Sequence, residues 1–278
     1  MRYHEDSFER DGGRIFHRSW RPEGESRDVV VIVHGFGEHG GRYPHLVEAL
    51  VSRGFEVWAM DHRGHGRSFG KRGHVDRWTD YTGDLGAFLD LVRDRAGNLP
   101  LFLLGHSMGG LVTINYVLEN ARDITGVILS GPALTQGAVS PALIAISRVL
   151  SRLWPTFSVD TGMEEDAVSR DRAVVQAYAN DPFVHSLATA RMGTEMARAI
   201  RDAMDGAGKW RLPLLLVQGG DDRLIPPEYS REFFSRIRSE DRTHKEYDGY
   251  YHETHNDLGW ERPVSDMAAW IEERMPKT

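Results

Sequence analysis

Two periodicities alternate along the chain. Short apolar, β-branched runs recur, and between them lie longer stretches whose apolar residues repeat at helical spacing. The runs predict strands at Ile15–Trp20, Val29–Val33, Glu56–Met60, Leu101–Leu104, Gly126–Leu129, Leu214–Gln218 and His244–Tyr247. Val29–Val33 and Leu214–Gln218 are nearly unbroken apolar runs, the pattern of strands covered on both faces. Between strands, Trp78, Tyr81, Leu85, Phe88, Leu89 and Val92 mark one amphipathic helix. Tyr43–Arg53, Leu111–Asn120, Glu228–Ile237 and Val264–Arg274 read the same way. Strand–helix alternation predicts an α/β fold with a mostly parallel sheet, its first strands forming an antiparallel hairpin at one edge.

One stretch breaks the alternation. From Leu134 to Gly208 no convincing strand is visible, and Ala142–Leu153, Ser169–Asn180 and Thr189–Ala207 read as helices. Ligands of open α/β sheets bind beyond the carboxyl ends of the strands. An insertion leaving from there is expected to sit over the site as a lid. The expected organisation is a core of residues 1–133 and 209–278 with a helical cap at 134–208.

Composition removes whole classes of function. The 278 residues allow one large domain or two smaller ones. Against 34 Lys+Arg stand 41 Asp+Glu, a formal net charge of -7, which argues against a nucleic-acid partner. With no cysteine, disulfide scaffolds, thiol catalysis and Cys-based metal sites drop out. The longest apolar runs, such as Val29–Val33 and Ala142–Ile146, fall far short of the roughly 20 residues of a membrane span. The opening MRYHEDSFERDGGRIF lacks the apolar core of a signal peptide, so a cytoplasmic location is expected.

The strongest chemical signal is Gly105-His106-Ser107-Met108-Gly109, followed by Gly110. It lies between the apolar strand LFLL and the helical stretch LVTINYVLEN. G-x-S-x-G in that context is a nucleophile elbow, a tight turn that presents a serine above the sheet. The helix that starts there aims backbone N–H groups at developing negative charge. The acid and base should follow in that order. Gly219-Gly220-Asp221-Asp222-Arg223-Leu224-Ile225-Pro226 comes directly after the strand Leu214–Gln218 and offers an acidic pair. His252, in a Gly-containing loop after the last strand, is the expected base. His255 is the fallback, His244 sits inside a strand, and His185 precedes the acid within the insertion.

An oxyanion hole needs the N–H after the nucleophile and another from a Gly-rich loop after an earlier strand. Met108 supplies the first. In His34-Gly35-Phe36-Gly37-Glu38-His39-Gly40-Gly41, Phe36 is the candidate for the second. The same loop matches G-x-G-x-x-G, and Asp61 ends the next strand, which is the layout of a dinucleotide site. Glu38 would be unwelcome beside a pyrophosphate, and that reading leaves Ser107 and His252 unexplained. The turn Asp61–Ser68 reads as a brace for neighbouring loops. His34/His39 and His62/His65 invite a metal reading, but they lack the carboxylate or cysteine pattern that metal sites carry.

HGFGEHGGRY (His34–Tyr43), DHRGHGRS (Asp61–Ser68), GHSMGG (Gly105–Gly110), DDRLIP (Asp221–Pro226) and YHE (Tyr251–Glu253) together resemble the α/β-hydrolase superfamily over nearly the whole chain. More closely they resemble its monoacylglycerol lipase and lysophospholipase-like branch. The resemblance implies an α/β-hydrolase fold: an eight-stranded, mostly parallel sheet with helices on both faces and a helical cap. It also picks Asp222 over Asp221 and places Glu38, Arg42 and His255 around the site mouth, where Glu38 and Arg42 are expected to pair and His255 to join them. The activity implied is hydrolysis of carboxylic esters of apolar acyl chains by Ser107, Asp222 and His252, with monoacylglycerols as first choice. Lysophospholipids and general carboxylic esters are the alternatives within the class. A dinucleotide-binding enzyme and a non-catalytic hydrolase-like binding module are the alternatives outside it.

No metal and no organic cofactor enter this chemistry. The apolar stripe Leu143, Ile144, Ile146, Val149, Leu150, Leu153, Trp154 and Phe157 has two readings. It either packs the cap onto the core or walls an acyl chain, with Leu143, Ile146 and Leu150 touching substrate and an outer face meeting a lipid surface transiently. Glu38 and Arg42 are the expected polar contacts to the alcohol.

Overall fold

The computed structural model describes residues 1–121, 123–136, 141–162 and 164–275, apart from the side chains of 141–146. Eight of the described strands form one sheet. In chain order they are β1 (Arg2–Arg10), β2 (Gly13–Arg21), β3 (Asp28–Val33), β4 (Phe55–Met60), β5 (Leu101–His106), β6 (Gly126–Ser130), β9 (Leu214–Gly219) and β10 (Arg242–Tyr247). Their spatial order is β1-β2-β4-β3-β5-β6-β9-β10. The hairpin β1–β2 and the pair β2–β4 are antiparallel, and every later pair is parallel.

The central strands are apolar at consecutive positions because both faces are covered. In β3, Val29, Val31 and Val33 join one core cluster while Val30 and Ile32 join the other. In β5, Leu101 and Leu103 oppose Phe102 and Leu104, and in β9, Leu214 and Leu216 oppose Leu215 and Val217. Side chains of α2 (Trp78–Ala96), α3 (Met108–Glu119) and α7 (Pro227–Arg236) complete the first cluster. Those of α1 (Pro44–Ser52) and α8 (Glu261–Glu272) complete the second. Helices therefore cover both faces, as an α/β-hydrolase fold requires.

Between β6 and β9 the chain leaves the sheet. This segment carries α4 (Pro141–Leu153), α5 (Arg172–Asn180) and α6 (Ala190–Gly206). Asp171 caps α5 by accepting from Ala173 N–H at 2.9 Å, and Thr189 caps α6 by accepting from Met192 N–H at 3.2 Å. The expectation of no strand here is corrected. β7 (Ser158–Asp160) and β8 (Leu187–Thr189) pair antiparallel, but three residues are too few to show a period in the sequence. β1 also escaped the sequence reading. It is an edge strand with both faces largely in water, so RYHEDSFER carries no apolar alternation.

Leu104 is fully buried in the centre of the sheet. Leu104→Ala should destabilise the protein by about 2–5 kcal/mol, through lost burial and the cavity left behind. Urea denaturation followed by circular dichroism measures this, and a loss below about 1 kcal/mol would contradict the packing described.

Candidate active site

Ser107 stands at the junction of β5 and α3 with φ 51 and ψ -120, a conformation rare for any residue but glycine. The strain is held by the surroundings. Ser107 N–H donates to Ser130 O at 3.0 Å, and Ser107 O accepts from Leu111 and Ala133 N–H at 3.2 and 2.9 Å. The flanking glycines are steric necessities. A Cβ on Gly109 would fall 2.0 Å from the Val33 carbonyl oxygen, and one on Gly105 would fall 2.6 Å from Thr113 Oγ1.

Asp222 and His252 meet beneath this turn. His252 Nδ1 lies 2.7 Å from Asp222 Oδ2, and both side chains are buried. Asp222 Oδ2 also accepts from Gln218 Nε2 at 2.8 Å, and its Oδ1 accepts from Leu224 and Ile225 N–H at 2.9 Å each. The carboxylate is thus fixed by the loop after β9. Asp221 is exposed, and its backbone N–H donates to Tyr250 O in the loop after β10 at 2.9 Å. Burial disfavours the charged imidazolium of His252, but the Asp222 carboxylate and its hydrogen bond outweigh burial, and the pKa is raised.

Ser107 and His252 border one cavity of about 600 Å³, together with Phe36 and Glu38. Its far wall comes from the segment between β6 and β9, including Leu150, Phe157, Met192 and Met196. Met108 opens α3, so its N–H is among the four without an intrahelical partner. The expected contacts Leu143 and Ile146 lie outside the described side chains. Leu150 lines the cavity, whereas Val149, Leu153 and Trp154 of the same stripe are exposed.

Behind the cavity the loop after β3 is closed by ion pairs. Glu38 Oε1 accepts from Gly35 N–H at 2.6 Å and from Tyr43 OH at 2.7 Å. Glu38 Oε2 pairs with Arg42 Nη1 at 2.9 Å. Arg42 then grips Glu253 with both terminal nitrogens, at 2.6 and 2.9 Å. Arg42 is therefore a bridge rather than part of the cavity lining. Glu253, next to His252, takes the place expected for His255. The His255 ring instead stacks on Tyr43 at 4.8 Å and stands edge-on to His106 at 4.9 Å. Burial pushes the Glu38 carboxyl up against the pull of Arg42, while the bidentate Arg42 overcomes burial at Glu253 and holds its carboxyl down.

The other motifs prove to be scaffolding. Asp61 is buried, with Oδ1 accepting from Arg18 Nη1 at 2.8 Å and Gly40 N–H at 3.0 Å and Oδ2 from Arg67 N–H at 2.9 Å. It is not free to meet a ribose, and the Gly35 N–H that a pyrophosphate would want belongs to Glu38, so the dinucleotide layout is a coincidence of sequence. His34 accepts from His62 N–H at 2.9 Å, and His62 returns a bond to His34 O at 3.2 Å. Burial drives His34 and His65 well below the ordinary imidazole range and His62 down to about 4. Among the described residues no group of three or more His, Cys, Asp or Glu is placed to hold a metal ion.

A family model described as serine aminopeptidase, S33, matches residues 24–259. A monoacylglycerol lipase from Mycolicibacterium smegmatis is 39% identical over 273 residues, 96% of each chain. Phospholipase YtpA from Bacillus subtilis is 36% identical, covering 82% of this chain and 89% of that protein. The crystal structure of a Paleococcus ferrophilus monoacylglycerol lipase superimposes with a TM-score of 0.86 at 33% identity, covering 94% of this chain and 99% of the other.

Removing Arg42 would leave Glu38 and Glu253 buried beside each other without a cation. Arg42→Ala should cost about 3–5 kcal/mol of stability. The carboxyl pKa values then rise in the folded state, so the remaining stability should fall as pH rises from 5 to 8. Denaturation at those two pH values tests this, and a loss that is equal at both would contradict it.

Proposed function

The chain belongs to the serine aminopeptidase S33 family of α/β-hydrolases, in its monoacylglycerol lipase-like branch, and from that premise we propose that it cleaves monoacylglycerols to glycerol and free fatty acid. It is a carboxylic ester hydrolase by family and relatives. We assign Ser107 as nucleophile, His252 as base and Asp222 as the group that orients it. The strained turn at Ser107 and the bond from His252 to the buried Asp222 support this assignment.

In this reading His252 Nε2 takes the Ser107 Oγ proton as the oxygen attacks the ester carbonyl. The N–H groups of Phe36 and Met108 stabilise the oxyanion. The imidazolium, itself stabilised by Asp222, returns the proton to the departing glycerol oxygen. Water then attacks the acyl-enzyme, with His252 taking its proton and passing it to Ser107 Oγ as the acyl–oxygen bond breaks and the fatty acid leaves. No step calls on a metal or an organic cofactor. The residues 134–208 act as the cap that shields these steps from bulk water.

The observation that carries the substrate class is the cavity lining. Its walls are mostly apolar, which suits a fatty acyl chain at about 25 cal/mol per Å² buried. Its charged lining residues are Glu38, Glu253 and Asp160, with no Lys or Arg among the described ones. Arg42, which pairs with Glu38 and Glu253 outside the lining, is already committed to them. A phosphate headgroup entering here finds no lysine or arginine in the described lining to bind it. This favours the neutral glycerol ester over an anionic lysophospholipid. Among the described residues no helix is long and apolar enough to cross a membrane. The exposed Val149, Leu153 and Trp154, with Arg148 and Arg152 on the same helix, suit a transient contact with a lipid surface.

The decisive experiment compares 1-decanoylglycerol, its anionic lysophosphatidylglycerol and lysophosphatidic acid counterparts, tridecanoylglycerol and an aminoacyl nitroanilide, with Ser107→Ala as the blank. The expected result is a kcat/KM for decanoylglycerol at least about tenfold above every other substrate. Equal rates on the triacylglycerol or an anionic ester, or a preference for the nitroanilide, would overturn the reading.

Asp222→Asn should lower kcat by roughly 10⁴, because the amide favours the wrong tautomer of His252. Asp221→Asn should stay within about threefold of the parent. In the parent, kcat/KM should climb with pH through one ionisation whose midpoint lies above the ordinary histidine value, since His252 acts only when neutral. The reverse ranking of the two variants would move the orienting role to Asp221.

A further inference from the structure

The loop of residues 35–42 leans on two supports. One is the Arg42 bridge. The other is the segment between α5 and β8, which belongs to the insertion. His185 N–H donates to Gly37 O at 2.8 Å. The contact is so close that a Cβ on Gly37 would fall 2.2 Å from the His185 carbonyl oxygen. The His185 ring donates from Nε2 to Gly64 O at 3.2 Å and stands edge-on to Phe36, centroids 5.7 Å apart. His65 meets the same Phe36 ring edge-on at 5.6 Å. Asp181 Oδ2 accepts from His39 Nε2 at 2.9 Å, and Asp181 is itself fixed by Phe183 N–H on Oδ1 at 2.8 Å. His39 Nδ1 accepts from Gly41 N–H at 3.1 Å, so both ring nitrogens are spent on holding the loop.

We propose that Asp181 and His185 are positioning residues for the reaction, holding the loop from outside so that the Phe36 N–H faces the oxyanion. The proposal rests on the reading of Phe36 as an oxyanion donor given above. The physical reason is tolerance. A donor stabilises an oxyanion only within about 2.7–3.1 Å, and losing one donor outright costs roughly 10²–10³ in kcat. A loop freed on its outer side drifts by a fraction of that distance and loses part of that factor. The loss falls on the transition state, not on the bound ester, so it appears in kcat and leaves KM nearly unchanged. The insertion then does more than wall the acyl chain: it completes the catalytic geometry.

Asp181→Ala and His185→Ala, singly and together, test this on 1-decanoylglycerol and on a decyl trifluoromethyl ketone. The adduct of the ketone with Ser107 places an oxyanion between the same two N–H groups. The expected result is a loss of about tenfold in kcat for Asp181→Ala and about threefold for His185→Ala, which keeps its backbone bond to Gly37 O and loses only the ring contacts, with KM within threefold and ketone affinity weakened in step with kcat/KM. Asp181→Asn, whose amide oxygen still accepts from His39, should stay within about threefold of the parent. If the double variant does not fold, Asp181→Ser, too short to reach His39, is measured by the same comparison. A folded variant with kcat within twofold of the parent overturns the proposal. So does a loss confined to KM with ketone affinity intact, which would assign these residues to the acyl wall. A parent enzyme that does not bind the ketone overturns the reading of Ser107 and Phe36, and this proposal with it.

Discussion

One buried guanidinium ties the site together. Arg42 joins Glu38, whose other oxygen fixes the loop after β3, to Glu253, which follows His252 in sequence. The two loops come from opposite ends of the chain, and Asn256 adds to the bridge by donating from Nδ2 to the Arg42 carbonyl oxygen at 3.1 Å. Burying two carboxylates and a cation is expensive, and the gain repays the cost only when the geometry is tight. Here the nitrogen–oxygen distances from Arg42 to Glu38 and Glu253 lie between 2.6 and 2.9 Å. Tyr178 caps it, its ring 4.4 Å from the Arg42 carbon. The bridge serves geometry: it keeps the loop after β3 and the loop that carries His252 at a fixed separation, which the proposed division of proton transfer and charge stabilisation between them requires.

Much of this was legible in the sequence, and the limits have physical causes. The parallel core strands announced themselves because burial on both faces forces unbroken apolar runs. Ser107 was legible because a tight turn between strand and helix demands small neighbours, and Gly105 and Gly109 are those neighbours. The choice of Asp222 over Asp221 came from the family resemblance and not from spacing, since adjacent acids in a turn look alike until the fold buries one. Glu253 was missed although it stands beside His252. A glutamate in a loop reads as solvated, and only the arrival of Arg42 from 211 residues away gives it a partner. His255 was expected where Glu253 is. Its imidazole stacks on Tyr43, a contact that no spacing rule encodes.

The insertion shows the same limit more strongly. Its helices were visible through their amphipathic spacing, and its caps at Asp171 and Thr189 carry ordinary signals. Its chemistry was not visible, because Tyr178, Asp181 and His185 gain meaning only by touching residues some 140 positions earlier. The apolar stripe of α4 reads as one surface in sequence. In the fold it divides, with Leu150 turned to the cavity and Leu153 and Trp154 to solvent.

The cavity wall that lacks cations also bears on how a cycle ends. An ester enters uncharged, but cleavage turns the acyl half into a carboxylic acid, which is ionised at neutral pH. The product then carries a negative charge beside Asp160 and the Glu38–Arg42–Glu253 bridge, whose one cation is shared by two carboxylates, with no lysine or arginine in the described lining to hold it. Reaction itself converts a welcome guest into a repelled one. Such a site should resist inhibition by accumulated fatty acid and run poorly in the synthetic direction, since the ionised acid must re-enter against the same field.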